Sequence, residues 1–196
     1  AGGTRFINIS PLRENLVADG DVEWIPIRPN TDTSVMLALA HELFKTGHAD
    51  ETFLKRCCVG GDAFRAYVLG VSDGQPKTPA WAAEISGVPA ARIIDLAQEM
   101  AGTRTLLNVA WSLQRAEHGE QPFWAIVALA CVLGQVGLPG GGFGLGYGAM
   151  NAIGSPHPRL KGPSLPQGRN PVTTFIPVAR IADMLLNPGG RFTYEG

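Results

Sequence analysis

The chain has 196 residues, 45% hydrophobic and 17% charged, which is enough apolar material for a sizeable core and excludes wholesale disorder; the length suits one domain or a piece of a larger one. A net charge of −1, from 16 Lys+Arg and 17 Asp+Glu, leaves no basic excess for a phosphate backbone, so no nucleic-acid partner is expected. Three Cys exclude a disulfide-stapled scaffold and a four-cysteine metal cluster within the chain, and no apolar run approaches the roughly 20 residues that span a bilayer, so no membrane partner is expected either.

The run Thr4-Arg5-Phe6-Ile7-Asn8-Ile9 stops at Ser10-Pro11 and predicts a buried strand. Residues 12–21 are polar. Glu23-Trp24-Ile25-Pro26-Ile27-Arg28-Pro29 reads as extended chain, because its prolines bar a helix. Val35, Met36, Leu39, Ala40 and Leu43 recur at helical spacing between Thr33 and Thr46, and Gly47 ends that helix. A small helical subregion follows over about 48–102, with segments at 49–57, 62–69, 78–86 and 89–100. Residues 105–111 read as the next strand, and 119–136 as a mostly apolar, buried helix. Gly and Pro number 25 and 15, about a fifth of the chain where about 12% is usual, and they concentrate in a predicted long loop over about 140–175. A short helix over 177–187 ends at Asn187-Pro188-Gly189-Gly190.

This order of strands and helices is α/β. Ligands of open parallel sheets bind beyond the carboxyl ends of the strands, which marks residues 10–15, 28–32 and 111–121 as candidate site segments. Asn30-Thr31-Asp32 opens a helix with backbone N–H groups, a hydroxyl and a carboxylate. The N–H groups suit a phosphate, and the carboxylate suits guanine N–H groups or a ribose diol; equally, Thr31 or Asp32 simply caps the helix. Trp111-Ser112-Leu113-Gln114-Arg115 sets an indole, a hydroxyl and a guanidinium after a strand. Arg115 suits a phosphate, a carboxylate or an oxide oxygen, or else Trp111 is core and Arg115 surface. His118-Gly119-Glu120-Gln121 is a poor metal site and reads as a capping cluster. Gly140-Gly141-Gly142-Phe143-Gly144 follows a helix, the wrong context for a dinucleotide fingerprint, and implies close backbone packing or a sharp turn. Cys57-Cys58 and Cys131 read as buried thiols, since a bridge between adjacent residues is strained.

In four of these stretches the chain resembles the dimethyl sulfoxide reductase family of molybdenum enzymes, in the branch of biotin sulfoxide, trimethylamine-N-oxide and dimethyl sulfoxide reductases. They are Gly3-Thr4-Arg5 through Ser10-Pro11, Ile27 through Asp32, Trp111 through Gln121, and Gly134 through Gly144; Lys77-Thr78-Pro79-Ala80-Trp81-Ala82-Ala83-Glu84-Ile85 adds to them. The resemblance covers essentially the whole chain. It implies an internal, incomplete Rossmann-like α/β domain over 1–196 of a larger multidomain enzyme, with parallel strands flanked by helices and a small helical insertion.

The implied cofactor is bis(molybdopterin guanine dinucleotide) with molybdenum, carried by the full-length parent and expected to be absent from the isolated fragment. By match to the family, Ile9 and Ser10 lie at a pterin-nucleotide contact. Asn30, Thr31 and Asp32 hold a guanosine end. Trp111, Ser112 and Arg115 lie beside a pterin, with Trp111 and Arg115 at the floor of the substrate funnel as the catalytic candidates. No metal ligand is expected in this chain, because the serine that holds the metal in this branch lies upstream of the matching region. The family usually has Asp where this sequence has Ser10, which rearranges that contact. The implied reaction is oxygen-atom transfer from an S-oxide or N-oxide to reduced molybdenum, with the remaining domains and an electron donor as partners and a cytoplasmic setting favoured. The fragment alone is expected to be inactive. A non-catalytic nucleotide-binding module and a structural or interaction domain are the alternatives.

Overall fold

A computed structural model describes residues 3–16, 18, 20–145, 163, 165–166, 168–172 and 174–191. The described residues up to 145 belong to one compact unit and those from 163 onward to a second.

The first unit has mixed α/β structure. Strands β1 (Phe6–Ile9) and β2 (Val22–Ile25) pair in parallel, Phe6 opposite Val22 and Ile9 opposite Ile25. The Ser10 N–H extends the ladder to the Ile25 carbonyl at 3.2 Å. Among the described residues, the crossover contains a single-turn 3-10 helix at Arg13–Asn15. Helix α1 (Asp32–Lys45) follows, then four shorter helices: α2 (Glu51–Cys57), α3 (Gly61–Val68), α4 (Pro79–Ser86) and α5 (Ala90–Gly102). Strand β3 (Leu106–Val109), a 3-10 turn at Trp111–Gln114, α6 (Gln121–Val132) and β4 (Gly142–Leu145) complete the unit. The second unit contains α7 (Ile181–Leu186), where Arg180 and Asp183 form an ion pair at 2.6 Å.

Helix α1 is the centre of the first unit. Every residue from Ser34 to Phe44 except Met36 is buried, with α4, α5 and α6 packed on it. Ala38 and Ala40 let those helices approach closely, while Leu43, fully buried, contributes about 1.5–3 kcal/mol through its burial. The shorter helices stop and start where the sequence supplies caps. Asp50 accepts the Phe53 N–H at 2.8 Å to cap α2, and Thr78 accepts the Trp81 N–H at 3.1 Å to cap α4, with Pro79 in its first turn.

Two findings modify the sequence reading. The described strands form two separate parallel pairs, β1–β2 and β3–β4, and not one continuous sheet. Residues 142–145, expected in the long loop, form β4: Leu106 pairs with Gly142 and Val109 with Leu145. Glycine is poor strand material, so the sequence there reads as a turn. Here the glycines serve packing. A Cβ at Gly141 would stand 2.9 Å from the Arg104 side chain and the Gln135 carbonyl, and Gly142 has φ +86°. Gln135 completes the joint by accepting the Thr105 N–H at 2.7 Å and donating to the Thr103 carbonyl at 2.9 Å. The rest of the predicted loop falls partly on residues 146–162, outside the described residues.

Asp50 ties α2 to α6, because its N–H donates to the Val132 carbonyl at 2.8 Å and its carboxylate lies where a Gly134 Cβ would be. Replacing it by Ala removes the α2 cap at a cost of about 1 kcal/mol. Hydrogen exchange of the amides of 51–58 should then speed up by about fivefold, with α4 unchanged.

Candidate functional site

The sequence-marked segments fall into two clusters, each at the carboxyl end of a parallel strand pair. Ile9, Ser10 and Asn30–Asp32 follow β1 and β2; Trp111, Ser112 and Arg115 follow β3. The two clusters stand on different strand pairs.

In the first cluster the turn after β1 is held by polar groups. Ser10, only 6% exposed, accepts the Leu12 N–H at 3.2 Å and the Asn15 Nδ2 at 2.5 Å through Oγ. Its carbonyl accepts from Trp24 Nε1 at 2.9 Å. Buried Asn8 donates to the Leu12 and Arg13 carbonyls at 3.3 and 3.0 Å. Sequence reasoning missed Asn8 and Trp24, and gave no role to Asn15 inside the marked segment 10–15. The available signal was Asn8, a polar residue inside an apolar strand run, which once buried must find hydrogen bonds.

The link from β2 to α1 is clamped from the opposite direction. Arg28 donates through Nη1 to the Glu84 and Ile85 carbonyls at 2.6 and 3.0 Å, and its N–H donates to the Ser86 carbonyl at 2.9 Å. A cation on the last carbonyls of α4 suits the negative end of that helix. Arg28 lies in a segment the sequence marked, but its role is this clamp. Asn30 then takes a left-handed conformation (φ 63°), which Asn tolerates better than most residues.

Thr31 is the residue preceding α1, but its side chain does not cap the helix; Oγ1 donates instead to the Arg28 carbonyl at 2.7 Å. The capping alternative for Thr31 therefore does not describe this end. Asp32 is half-buried, and burial pushes its carboxyl above the usual carboxylate range, offset in part by its own N–H. Among the described residues no cation pairs with Asp32.

The second cluster is more open. The Trp111 side chain is half-buried, and Ser112 and Arg115 are exposed. Among the described residues no side chain or carbonyl engages the Arg115 guanidinium. The chain then doubles back. Gly119 is buried, and a Cβ there would lie 2.1 Å from the Gln114 carbonyl oxygen, so only glycine fits. His118 is left-handed (φ 55°) and sits 3.9 Å from Glu120, whose carboxyl is held below its usual value by its own N–H first, then by Gln121 and His118. The side chains here hydrogen-bond to one another, Gln121 donating to Glu120 at 3.1 Å, but none caps α6, so the expected capping role is not seen. Among the described residues no group of three or more His, Cys, Asp or Glu is placed to hold a metal, and no helix is long and apolar enough to cross a membrane.

Comparison with known proteins decides the family. The profile of the molybdopterin oxidoreductase family matches residues 1–193. The chain belongs to this family. It is 52% identical to a biotin sulfoxide reductase of Cereibacter sphaeroides over 99% of the chain and 26% of that protein. It is 46% identical to a dimethyl sulfoxide/trimethylamine N-oxide reductase of the same organism, over 99% of the chain and 25% of that protein. A trimethylamine-N-oxide reductase of Haemophilus influenzae is 43% identical over 100% of the chain and 25% of its own length. The chain thus spans about a quarter of the curated relatives it matches. The acetylene hydratase of Pelobacter acetylenicus shares the fold, with a TM-score of 0.57 at 20% identity over 68% of this chain and 18% of that one.

The raised Asp32 pKa has a signed consequence. With the folded value above the unfolded one, stability is fully present below the unfolded pKa and declines as pH rises through the folded pKa. Ligand-free Asp32→Asn should match the parent protein in acid and exceed it in melting temperature at neutral pH, as thermal unfolding across pH will measure. Gly119→Ala should disorder the 111–120 segment at a cost of about 1–3 kcal/mol, seen as faster proteolysis there while α1 amides keep their exchange rates.

Proposed function

We propose that this chain is part of a molybdenum-dependent reductase of S-oxides or N-oxides, and that it binds the guanine-dinucleotide form of the cofactor, bis(molybdopterin guanine dinucleotide). The observation that carries the binding role is Asp32: a half-buried carboxyl, raised by burial and unpaired with any described cation, at the start of a helix that Thr31 does not cap. Such a carboxylate accepts the paired N–H donors of a guanine edge, and the α1 terminus favours anionic oxygen. Asn30 and Thr31 set the backbone of that end. The donor set of the first cluster fits the group. With two bonds accepted at Oγ, Ser10 still has its hydroxyl proton to offer to a phosphate or ribose oxygen next to Ile9. This keeps a polar contact where the family usually places Asp, with a donor in place of an acceptor.

In the second cluster, Arg115 donates to the oxide oxygen of substrate and steadies the charge that collects there. Trp111 presents an apolar face that limits water, and Ser112 offers a hydroxyl toward the cofactor. When bound, the molybdenum-pterin group supplies the two-electron chemistry that accepts the oxygen atom, while the protein orients substrate and tunes the site. The remaining domains and an electron donor complete the enzyme. In that setting the β1–β2 and β3–β4 pairs belong to one larger Rossmann-like sheet, with both clusters along its carboxyl edge. The resemblance to proteins named for biotin sulfoxide and trimethylamine N-oxide supports the substrate class.

The test is molybdenum and guanine-nucleotide content of the full-length protein, with reduction of methionine sulfoxide and trimethylamine N-oxide assayed on the same sample. Near one metal per chain with turnover of either oxide is expected. Neither metal nor turnover, with tight binding of NAD or FAD, would make a nucleotide-binding module the correct reading. Asp32→Ala should lower guanine-nucleotide content, whereas Arg115→Ala should leave metal content unchanged and lower kcat/KM by about tenfold to a hundredfold, the loss of one charged hydrogen bond.

A further inference from the structure

In the turn after β1, every polar function of Ser10 but one is engaged within the chain. Its N–H donates to the Ile25 carbonyl at 3.2 Å and its carbonyl accepts from Trp24 Nε1 at 2.9 Å, so its main chain is held on both sides. Oγ accepts the Leu12 N–H at 3.2 Å and Asn15 Nδ2 at 2.5 Å, which occupies both lone pairs of the hydroxyl. Among the described residues nothing accepts the hydroxyl proton, although Ser10 is buried. A buried donor without an acceptor is uncommon and costly in a folded chain.

Two donors turn that proton away from the turn. Leu12 supplies one from its backbone, which no side chain alters. Asn15 supplies the other from the end of the 3-10 helix at Arg13–Asn15. Asn8 braces the same turn separately, by donating to the Leu12 and Arg13 carbonyls at 3.3 and 3.0 Å. The Asn15 side chain is thus not needed to form the turn. What it does is fill the second lone pair of Oγ.

We propose that Asn15 is a positioning residue that leaves Ser10 able only to donate, and that Ser10 so set takes a phosphate oxygen of the nucleotide rather than a ribose hydroxyl. This rests on the reading of the first cluster as a nucleotide site. A ribose diol is best met by an acceptor, because each of its hydroxyls has a proton to place. Ser10 has no lone pair left for one. A phosphate oxygen only accepts, and its charge strengthens the bond. The net charge of the turn does not decide between the two, since exposed Arg13 and Glu14 stand side by side and offset each other. The choice falls to the single free proton. Where the family usually places Asp, the contact therefore changes its partner as well as its polarity.

Calorimetry on full-length protein produced without the pterin cofactor, with GDP and guanosine as probes, separates phosphate from nucleoside. Ser10→Ala should weaken GDP binding by about tenfold, the loss of one charge-assisted hydrogen bond, and leave guanosine binding unchanged. Asn15→Ala should weaken GDP binding by a smaller factor, again with guanosine unchanged. In the Ser10→Ala background it should cost nothing further, because its effect runs through that hydroxyl. Loss of guanosine binding along with GDP binding in these variants would mark a ribose contact or a disturbed turn, and would overturn the proposal. An equal loss from Asn15→Ala with and without the Ser10 hydroxyl would do the same. If the parent protein binds neither probe, the nucleotide reading of the cluster fails and this proposal fails with it; Asp32→Ala, expected to weaken both probes alike, tests that reading independently.

Discussion

Burial of α1 is the constraint on which the first unit depends. A helix packed by α4, α5 and α6 has no freedom to slide or rotate without opening voids among close-packed side chains, a cost of several kcal/mol. Fixing α1 fixes its first turn, and the first turn carries Asp32. The candidate site therefore inherits its position from a core that has no chemical role. The same helix explains an otherwise odd pair, buried His41 and Glu42, whose side chains meet at 3.2 Å; a neighbour beside each polar group lets a polar stretch occupy a helix covered on nearly every side.

Ile25 is buried in the core and Ile7, Ile9 and Leu107 pack against it, while ion pairs and backbone clamps hold the first strand pair in place. Glu23 on β2 receives Arg92 of α5 at 2.7 Å and also binds Arg5, while Arg92 reaches Glu99 at 3.2 Å and Arg5 reaches the same residue at 3.1 Å. The two arginines hold the Glu23 carboxyl below its usual range, Arg92 foremost. Partly exposed pairs of this kind contribute little singly, but a network that joins two strands to a helix restrains their register. At the other end of β2, Arg28 binds the last carbonyls of α4. Strand position is thus set at both ends by arginines, leaving the carboxyl edge of the pair open for a ligand.

The fold was legible where it rests on periodicity and caps. The helices of the 48–102 subregion lie close to their expected ranges because Asp50, Thr78, Pro79 and Gly87 punctuate the chain in ways that need no tertiary knowledge. Strand β4 was illegible for the converse reason. Gly141, just before it, leaves room for the Arg104 side chain, which comes from the far side of β3, and Gly142 opens the strand at φ +86°; neither demand shows in the local sequence. The candidate site was legible as residue types at strand ends. The polar scaffold behind it was not, since Asn8 acts on backbone carbonyls and Asn15 and Trp24 act on Ser10.

Arg28 and Asp32 sit four residues apart in one connection and meet opposite fates. The cation is spent on carbonyls of α4, although an acid lies close to it in sequence. The acid is left half-buried with its charge disfavoured. Stability alone would favour pairing them or replacing Asp32 by a neutral residue. The proposed function gives this desolvated carboxylate without a cation a use, as a group held for a ligand. Ser10 follows the same logic in milder form: its acceptor capacity is used by the fold, and its one donor is left over. On the proposed function, the two residues together would offer a donor and an acceptor to a nucleotide that carries both.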